Sequence, residues 1–416
     1  MKQIDWEKIR QEEFPILNTM TFLDVACVSF APQRAVKAVK DFADMTARQD
    51  EANSSAHHIA MDALRHKAYE EAQKLLNADP EEIALVESTS HGLNIAAQGI
   101  ELQPGDNIIT TNLEFIQVAL PWCVMRGEKK IDIRVCKTPD NRFRVEDFAK
   151  LADEHTRILV MSTLEWCNGW ASDLKAIGDW CKEKGIFFVV DAVQQLGVTE
   201  LDTKTFHVDL LTAGGHKWLN SPYGTGVLYV KKGITLEPLV YGGGQERGLV
   251  SGTENTAGCI GLAAAMKEAV EGLDEKMGYV KKLTDKLVKG IMENIPYSHY
   301  TGDPVNRLPG TASFVFEAIE GEGLILRLDN AGVCGSTGSA CSTGSLDPSH
   351  VLMAIGLPHE IAHGSLRLTL GEQNTEEDVD YIIETVTDVV KTLRSMSPVW
   401  ENGHPNLTAA TELHAH

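Results

Sequence analysis

The sequence predicts an α/β fold: a mostly parallel, doubly wound sheet followed by a smaller α+β domain. Three observations lead there. Apolar strand-like runs and helical stretches alternate from about residue 82 to residue 230, at the spacing of βαβ units. The run Phe187-Phe188-Val189-Val190 is apolar at every position, the pattern of a strand buried on both faces. After Tyr241-Gly242-Gly243-Gly244 the alternation stops and a long helical pattern begins.

Residues 1–20 predict a short helix and an extended segment, and 21–24 a small strand. A helical pattern over 32–76 is interrupted by the polar stretch 53–58. Strands are expected over 82–87, 107–111, 131–135, 158–161, 187–191 and 227–230. Helices are expected from near Leu93 and over 118–126, 145–153 and 174–184. A helical pattern over 256–293 leads to strands at 312–316 and 365–370 and a closing helix over 375–393. We expect a large domain over 20–258, a small domain built from 1–19 and 259–396, and a flexible tail over 397–416, which carries Pro, Asn and Gly without periodicity.

With 416 residues, the chain exceeds what one hydrophobic core usually organises, so two domains are the expectation. A formal net charge of -21 speaks against a nucleic-acid-binding surface, which needs a basic patch. Acids and bases mix over residues 1–8, so no signal-peptide pattern shows, and no run is long enough to span a membrane. We therefore expect a cytoplasmic protein. Its eight cysteines include no Cys-x-x-Cys pair and no metal-ligand spacing, so we expect reduced thiols and no metal site.

Two stretches carry candidate chemistry. The apolar strand 187–190 ends in Asp191, a carboxylate at the sheet edge where open α/β folds bind ligands. Downstream, Gly214-Gly215-His216-Lys217 places a lysine in a turn before another apolar strand. Desolvation there would free its amine to form a Schiff base; read alone, Lys217 could equally be solvated and Asp191 a helix cap. Similarly, Ser88-Thr89-Ser90-His91-Gly92 at a strand-to-helix junction suits an anion or an ordinary N-cap.

Larger stretches decide between these readings. Gly215-His216-Lys217, Gly243-Gly244-Gln245-Glu246-Arg247-Gly248, Ser251-Gly252-Thr253-Glu254-Asn255 and the run from Gly338 through Cys341 to His350 resemble the class V, fold-type I pyridoxal-phosphate enzymes, and among them the cysteine desulfurases of the nitrogen-fixation and iron–sulfur-cluster type. The resemblance covers about residues 20–395. It implies a large domain around a mostly parallel seven-stranded sheet with a smaller α+β C-terminal domain, and pyridoxal 5'-phosphate as cofactor. Lys217 would hold the cofactor as a Schiff base and shuttle the substrate Cα proton. Asp191 would keep the pyridine nitrogen protonated, and Gln194 would donate to the phenolic oxygen. Thr89, Ser90 and His216 would hold the phosphate. Thr253 of a second copy would complete that cradle, which implies a homodimer. Arg367 matches the clamp for the substrate carboxylate, and Cys341 the nucleophile that takes sulfur from L-cysteine and passes it to an acceptor protein.

Two positions depart from the family pattern. Desulfurases carry a histidine over the cofactor ring where this chain has Phe115, which can stack but cannot transfer a proton. They carry an asparagine where this chain has Trp166. Both leave other pyridoxal-phosphate reactions open: C–S lysis of cysteine or cystine, selenocysteine lysis, decarboxylation or epimerisation.

Overall fold

The computed structural model describes residues 6–48, 54–138, 142–338 and 347–406. Helix α1 (Trp6–Glu13) leads to β1 (Thr21–Phe22), α2 (Gln33–Arg48) and α3 (Ser54–Leu76). The polar stretch expected to interrupt the helices is thus helical from Ser54 onward. The large sheet follows: β2 (Ile83–Val86), β3 (Asn107–Thr111), β4 (Asp132–Cys136), β5 (Thr156–Ser162), β6 (Phe187–Asp191), β7 (Leu210–Gly214) and β8 (Gly226–Val230). Between its strands lie α4 (Thr89–Gly99), α5 (Ile116–Lys129), α6 (Val145–Ala149) and α7 (Leu174–Lys184).

The seven strands lie in the order β2-β8-β7-β6-β5-β3-β4, and only β8 runs against the others. Alternate residues of each strand feed opposite faces. Phe188 and Val190 join the core that includes Leu211, Ala213 and Tyr229, whereas Val189 joins Ala84, Ile108, Val160 and Leu228. Both faces are dry, which is why these strands read as unbroken apolar runs.

The expected helix over 256–293 is two helices, α8 (Thr256–Val270) and α9 (Leu273–Asn294). Gly272 separates them at φ 72°, a left-handed conformation that glycine adopts without a Cβ penalty. Helix α8 buries Cys259, Leu262, Ala263 and Met266 in the core of the large sheet, and the chain leaves that core at Gly272.

Beyond it, β9 (Ser298–Tyr300), β10 (Thr311–Phe316), α10 (Gly321–Asn330), β11 (Val333–Cys334), α11 (His350–Ala354), α12 (His359–Ala362), β12 (Ser365–Thr369) and α13 (Glu376–Met396) build the second unit. Its antiparallel sheet β12-β10-β9 shares a core with α9, α10 and α13. Helix α1 docks here, with Trp6 stacked on Tyr279 at 4.4 Å. Strand β1 pairs in parallel with β11, so the segment leading to Asp24 threads between the two units. The expected loose tail starts with a hairpin, Trp400–Glu401 against His404–Pro405, where Arg394 lies over the Trp400 ring. Among the described residues, no helix is long and apolar enough to cross a membrane.

Helix α4 begins at Thr89, four residues earlier than expected, because Ser88 accepts a hydrogen bond from the His91 N–H and caps it. The helix can lie close to β7 because residue 92 is glycine: a Cβ there would fall 2.1 Å from Thr212 Oγ1 and 2.7 Å from Thr212 Cβ. Gly92→Ala therefore destabilises the fold by about 1–3 kcal/mol, read from denaturant unfolding. A Thr212→Ala background removes the closer atom and recovers only part of the loss.

Candidate active site

Strand β6 delivers Asp191 to the C-terminal edge of the sheet, where its carboxylate is buried. One oxygen accepts from the Val193 N–H at 2.9 Å, the other from Gln117 Nε2 at 2.9 Å. Burial raises its pKa, opposed by the Val193 N–H, by Gln117 and by the charge of Lys217. Gln117 in turn accepts from the Ser90 hydroxyl at 2.8 Å. A continuous hydrogen-bonded chain thus ties the first turn of α4, the first turn of α5 and the end of β6 together. Gln117 did not stand out in the sequence; its only signal is a position one residue inside the start of α5.

The turn after β7 carries His216 and Lys217. It is fastened by Ser29, whose hydroxyl donates to the Lys217 carbonyl at 2.6 Å and whose N–H donates to the His216 carbonyl. Burial and the charge of Lys217 lower the His216 pKa, which disfavours its charged form. Thr89 Oγ1 accepts from the Gly214 N–H at 2.7 Å. A Cβ on Gly214 would meet His216 Nδ1 at 3.0 Å and Thr89 Oγ1 at 3.2 Å. Thr89, Ser90 and His216 thereby cluster at a helix N-terminus, where unsatisfied N–H groups and the helix dipole favour an anion.

Lys217 Nζ lies 5.9 Å from the centre of the Phe115 ring, and Phe115 meets Trp166 edge-on at 5.6 Å. These aromatics form one wall. The Gln194 side chain is already engaged: Nε2 donates to the Ala26 carbonyl at 3.1 Å and Oε1 accepts from Trp218 Nε1 at 2.8 Å. An amide nitrogen carries two hydrogens, so Gln194 keeps one for a further acceptor.

Arg367, on β12, is 1% exposed. Its Nη1 donates to the Trp166 carbonyl at 2.8 Å, and Nη2 to Asp24 at 3.1 Å and the Ser336 hydroxyl at 2.9 Å. Its Nε is buried without a hydrogen-bond partner, as is Trp166 Nε1. The Asp24 pKa is raised by burial despite the charge of Arg367. The guanidinium is therefore held beside the aromatic wall by an internal carboxylate, an arrangement the sequence did not reveal.

Two buried acids lie behind the wall. Glu114 accepts from the Ser162 N–H at 2.9 Å, the Ser162 hydroxyl at 2.6 Å and the Thr111 hydroxyl at 2.8 Å. Burial nevertheless pushes its pKa up to about 7. Burial and the charge of Glu114 push Glu165 well above the usual carboxylate range.

Thr253 is exposed on the loop preceding α8. Cys341 lies outside the described residues, but both flanks of its segment are anchored near the wall. The Gly338 N–H donates to the Ser365 hydroxyl at 3.1 Å. Ser349 lies 3.7 Å from Cys167 Sγ. His350 hydrogen-bonds the Glu114 carbonyl at 3.0 Å and packs its ring 6.1 Å from Trp166. No disulfide joins the seven described cysteines, and burial raises the pKa of Cys136, Cys181, Cys259 and Cys334, which makes them poorly nucleophilic. Among the described residues no group of three or more His, Cys, Asp and Glu could hold a metal.

A buried aspartate at a strand end, a lysine in the next turn and a hydroxyl-lined helix N-terminus, on this sheet order, define a fold-type I enzyme. The chain belongs to the class-V aminotransferase family, whose profile (Aminotransferase class-V) matches residues 21–382. It is 37% identical over 395 residues to a cysteine desulfurase IscS of Clostridium botulinum, covering 93% of this chain and 98% of that protein. It is 36% identical over 345 residues to the cysteine desulfurase NifS of Azotobacter vinelandii, covering 82% and 85%. Among solved structures, a NifS-like protein superposes with TM-score 0.81 at 28% identity, covering 90% of this chain and all of that one. The apo cysteine desulfurase of Thermococcus onnurineus superposes at 0.84 with 23% identity, covering 94% of this chain and all of that one; at that identity the likeness concerns the fold.

The raised pKa of Glu114 has a measurable sign. A carboxyl that titrates at about 7 when folded and near 4.5 when free contributes stability that is complete below pH 4.5 and is lost as pH rises to about 7. Across that window it lowers the unfolding free energy by at most about 1.4 kcal/mol per pH unit. Denaturant titrations from pH 4.5 to 8 should show a flatter profile for Glu114→Gln than for the parent protein.

Proposed function

We propose that this enzyme is a pyridoxal-phosphate-dependent cysteine desulfurase that converts L-cysteine to L-alanine and leaves the sulfur as a persulfide on Cys341. What carries the reading is the convergence of Asp191, Lys217 and the Thr89–Ser90–His216 cluster, joined to relatives named cysteine desulfurase that match nearly the whole chain. When bound, pyridoxal phosphate supplies an electron sink that acidifies the Cα proton of an amino acid.

The chain's residues divide the remaining work. Asp191, already hydrogen-bonded to Gln117 and the Val193 N–H, would pair with the protonated pyridine nitrogen. The α4 N-terminus with Thr89, Ser90 and His216 would take the phosphate, Thr253 of a second copy would complete that cradle, and Gln194 would turn its second amide hydrogen to the phenolic oxygen. Phe115 would stack on the ring. Lys217 would hold the cofactor and carry the Cα proton, and Arg367 would orient the substrate carboxylate through its open Nε edge or in exchange for Asp24. At Cys341 the substrate Cβ–S bond breaks as the S–S bond forms, and Cβ takes a proton. Cysteine plus thiol becomes alanine plus persulfide, with atoms in balance. The persulfide would then pass to a sulfur-acceptor protein, in the cytoplasm, where free thiols persist.

Phe115 and Trp166 favour a second reading, C–S lysis to pyruvate, ammonia and sulfide, because Phe115 cannot transfer the proton that the family's histidine can and Trp166 lacks the amide of the asparagine it replaces. Incubation with L-cysteine and a reductant separates the two: alanine supports desulfuration, and pyruvate supports lysis. Cys341→Ser should abolish alanine and sulfide formation, and unchanged rates in that variant would remove the thiol from the mechanism. Lys217→Ala should cost about 10²–10⁴-fold in kcat even after cofactor is added back. Arg367→Lys should lower kcat/KM for cysteine by about ten- to hundredfold, the worth of one hydrogen bond between charged groups.

A further inference from the structure

The loop from Tyr241 to Asn255 is anchored far more firmly than an exposed loop requires. Tyr241, Arg247 and Thr253 are exposed, yet Glu246 between them has a side chain only 2% exposed. Glu246 and Arg247 are consecutive non-glycine residues in the left-handed region, at φ 48° and 57°, where L side chains rarely sit. Such a conformation persists only where its surroundings impose it.

Here they do. Glu246 Oε2 accepts from the Leu85 N–H at 2.9 Å, on β2 at the open edge of the large sheet. Glu246 Oε1 accepts from Arg65 Nη1 at 2.9 Å and from the Tyr69 hydroxyl. Arg65 also donates to the Tyr69 hydroxyl at 2.8 Å and reaches Glu254 at 3.5 Å. One arginine on α3 therefore grips the loop on both sides of Thr253. Within the loop, the Ser251 hydroxyl donates to the Val240 carbonyl at 2.8 Å, and the Gly252 N–H donates to Gln245 Oε1 at 3.3 Å. The exposed apolar side chains of Val240 and Tyr241 stand at its foot.

We infer that Arg65, Tyr69 and Glu246 form a clasp that fixes the 241–255 loop as a rigid, outward-facing arm, which delivers Thr253 to the cofactor-phosphate site of a second copy of this chain. The inference rests on the reading that Thr253 acts in a second copy. It makes the three clasp residues positioning residues for a site they do not touch: a clasp broken in one copy weakens phosphate binding in the other.

Mixed dimers test this. Glu246→Gln removes the charge that draws Arg65 and Tyr69 inward, and Arg65→Lys, the milder change, loses the two-sided grip. In either homodimer, pyridoxal phosphate should dissociate about ten- to hundredfold more readily, the worth of one hydrogen bond to a charged group. The readouts are cofactor per protomer after gel filtration and the visible-edge absorbance of cofactor bound to Lys217. When either variant is mixed with Lys217→Ala protomers, the mixed dimer has one site with an intact Lys217 and an intact arm from the other copy. That site should regain parental retention. Parental retention in the Arg65→Lys and Glu246→Gln homodimers, or a defect that persists in the mixed dimer, overturns the clasp. If Glu246→Gln does not fold, the Arg65→Lys mixture decides by the same criteria. A parental protein that sediments as a monomer with full cofactor overturns the second-copy reading itself, whereas an unrescued defect in a proven dimer overturns only the clasp.

Discussion

The carboxylate of Asp191 is the constraint that the rest of the site is built around. A charge buried at the end of a central strand is costly unless it is paired and hydrogen-bonded. Three elements therefore converge on it: the turn after β6 with the Val193 N–H, α5 with Gln117, and the turn after β7 with the charge of Lys217. Because Gln117 is also held by Ser90, the position of α4 is tied to the same point. The residues proposed to face an anion and the one proposed to face a ring nitrogen are thus joined by one hydrogen-bonded chain. The parallel sheet makes this possible: it brings the C-terminal ends of β2, β6 and β7 to one edge, with the single reversed strand β8 lying between β2 and β7.

Much of this was legible in the sequence, for a physical reason. A strand buried on both faces has no polar position to spare, so a carboxylate that ends an apolar run, as Asp191 does, is conspicuous. The same logic exposes Lys217 among glycines and Thr89 at a strand-to-helix junction. The helix over 256–293 misled because periodicity continues through Gly272; only the backbone shows the break. The start of α4 was placed too late because Ser88 looked like part of a turn when it is the cap. Arg367 was found by resemblance, but its engagement with Asp24 depends on strand β1 threading between the two units, a long-range contact with no local signature. Gln117 and Arg65 carry no local signal for the same reason: each acts through a partner distant in sequence.

The aromatic wall and the acids behind it belong together. Glu114 and Glu165 immediately precede Phe115 and Trp166 in sequence, and both carboxyls are buried. Glu114 is supported by three donors from Ser162 and Thr111, whereas Glu165 Oε2 has no hydrogen-bond partner. Two carboxylates so close in a dry layer cannot both stay ionised without mutual repulsion. The protein accordingly holds titratable protons directly behind a face that lacks the family's histidine. The charge of Asp191 adds to the effect of burial in raising the Glu114 pKa.

Arg367 shows how positioning and stability are joined in this fold. Its ion pair with Asp24 is buried, and removing one partner of a buried pair strands the other charge at a cost of about 3–5 kcal/mol. A loss of activity on truncating Arg367 would therefore mix lost substrate binding with a loosened junction between β12 and the segment after β1. The conservative lysine keeps the charge opposite Asp24 while giving up the planar fork that spans Trp166, Ser336 and Asp24. Asp24 meanwhile occupies the guanidinium much as a substrate carboxylate would. In the proposed role, an entering amino acid would use the unpartnered Nε edge or take the place of Asp24. In the second case Asp24 would lose the partner whose charge now opposes the effect of burial on its pKa.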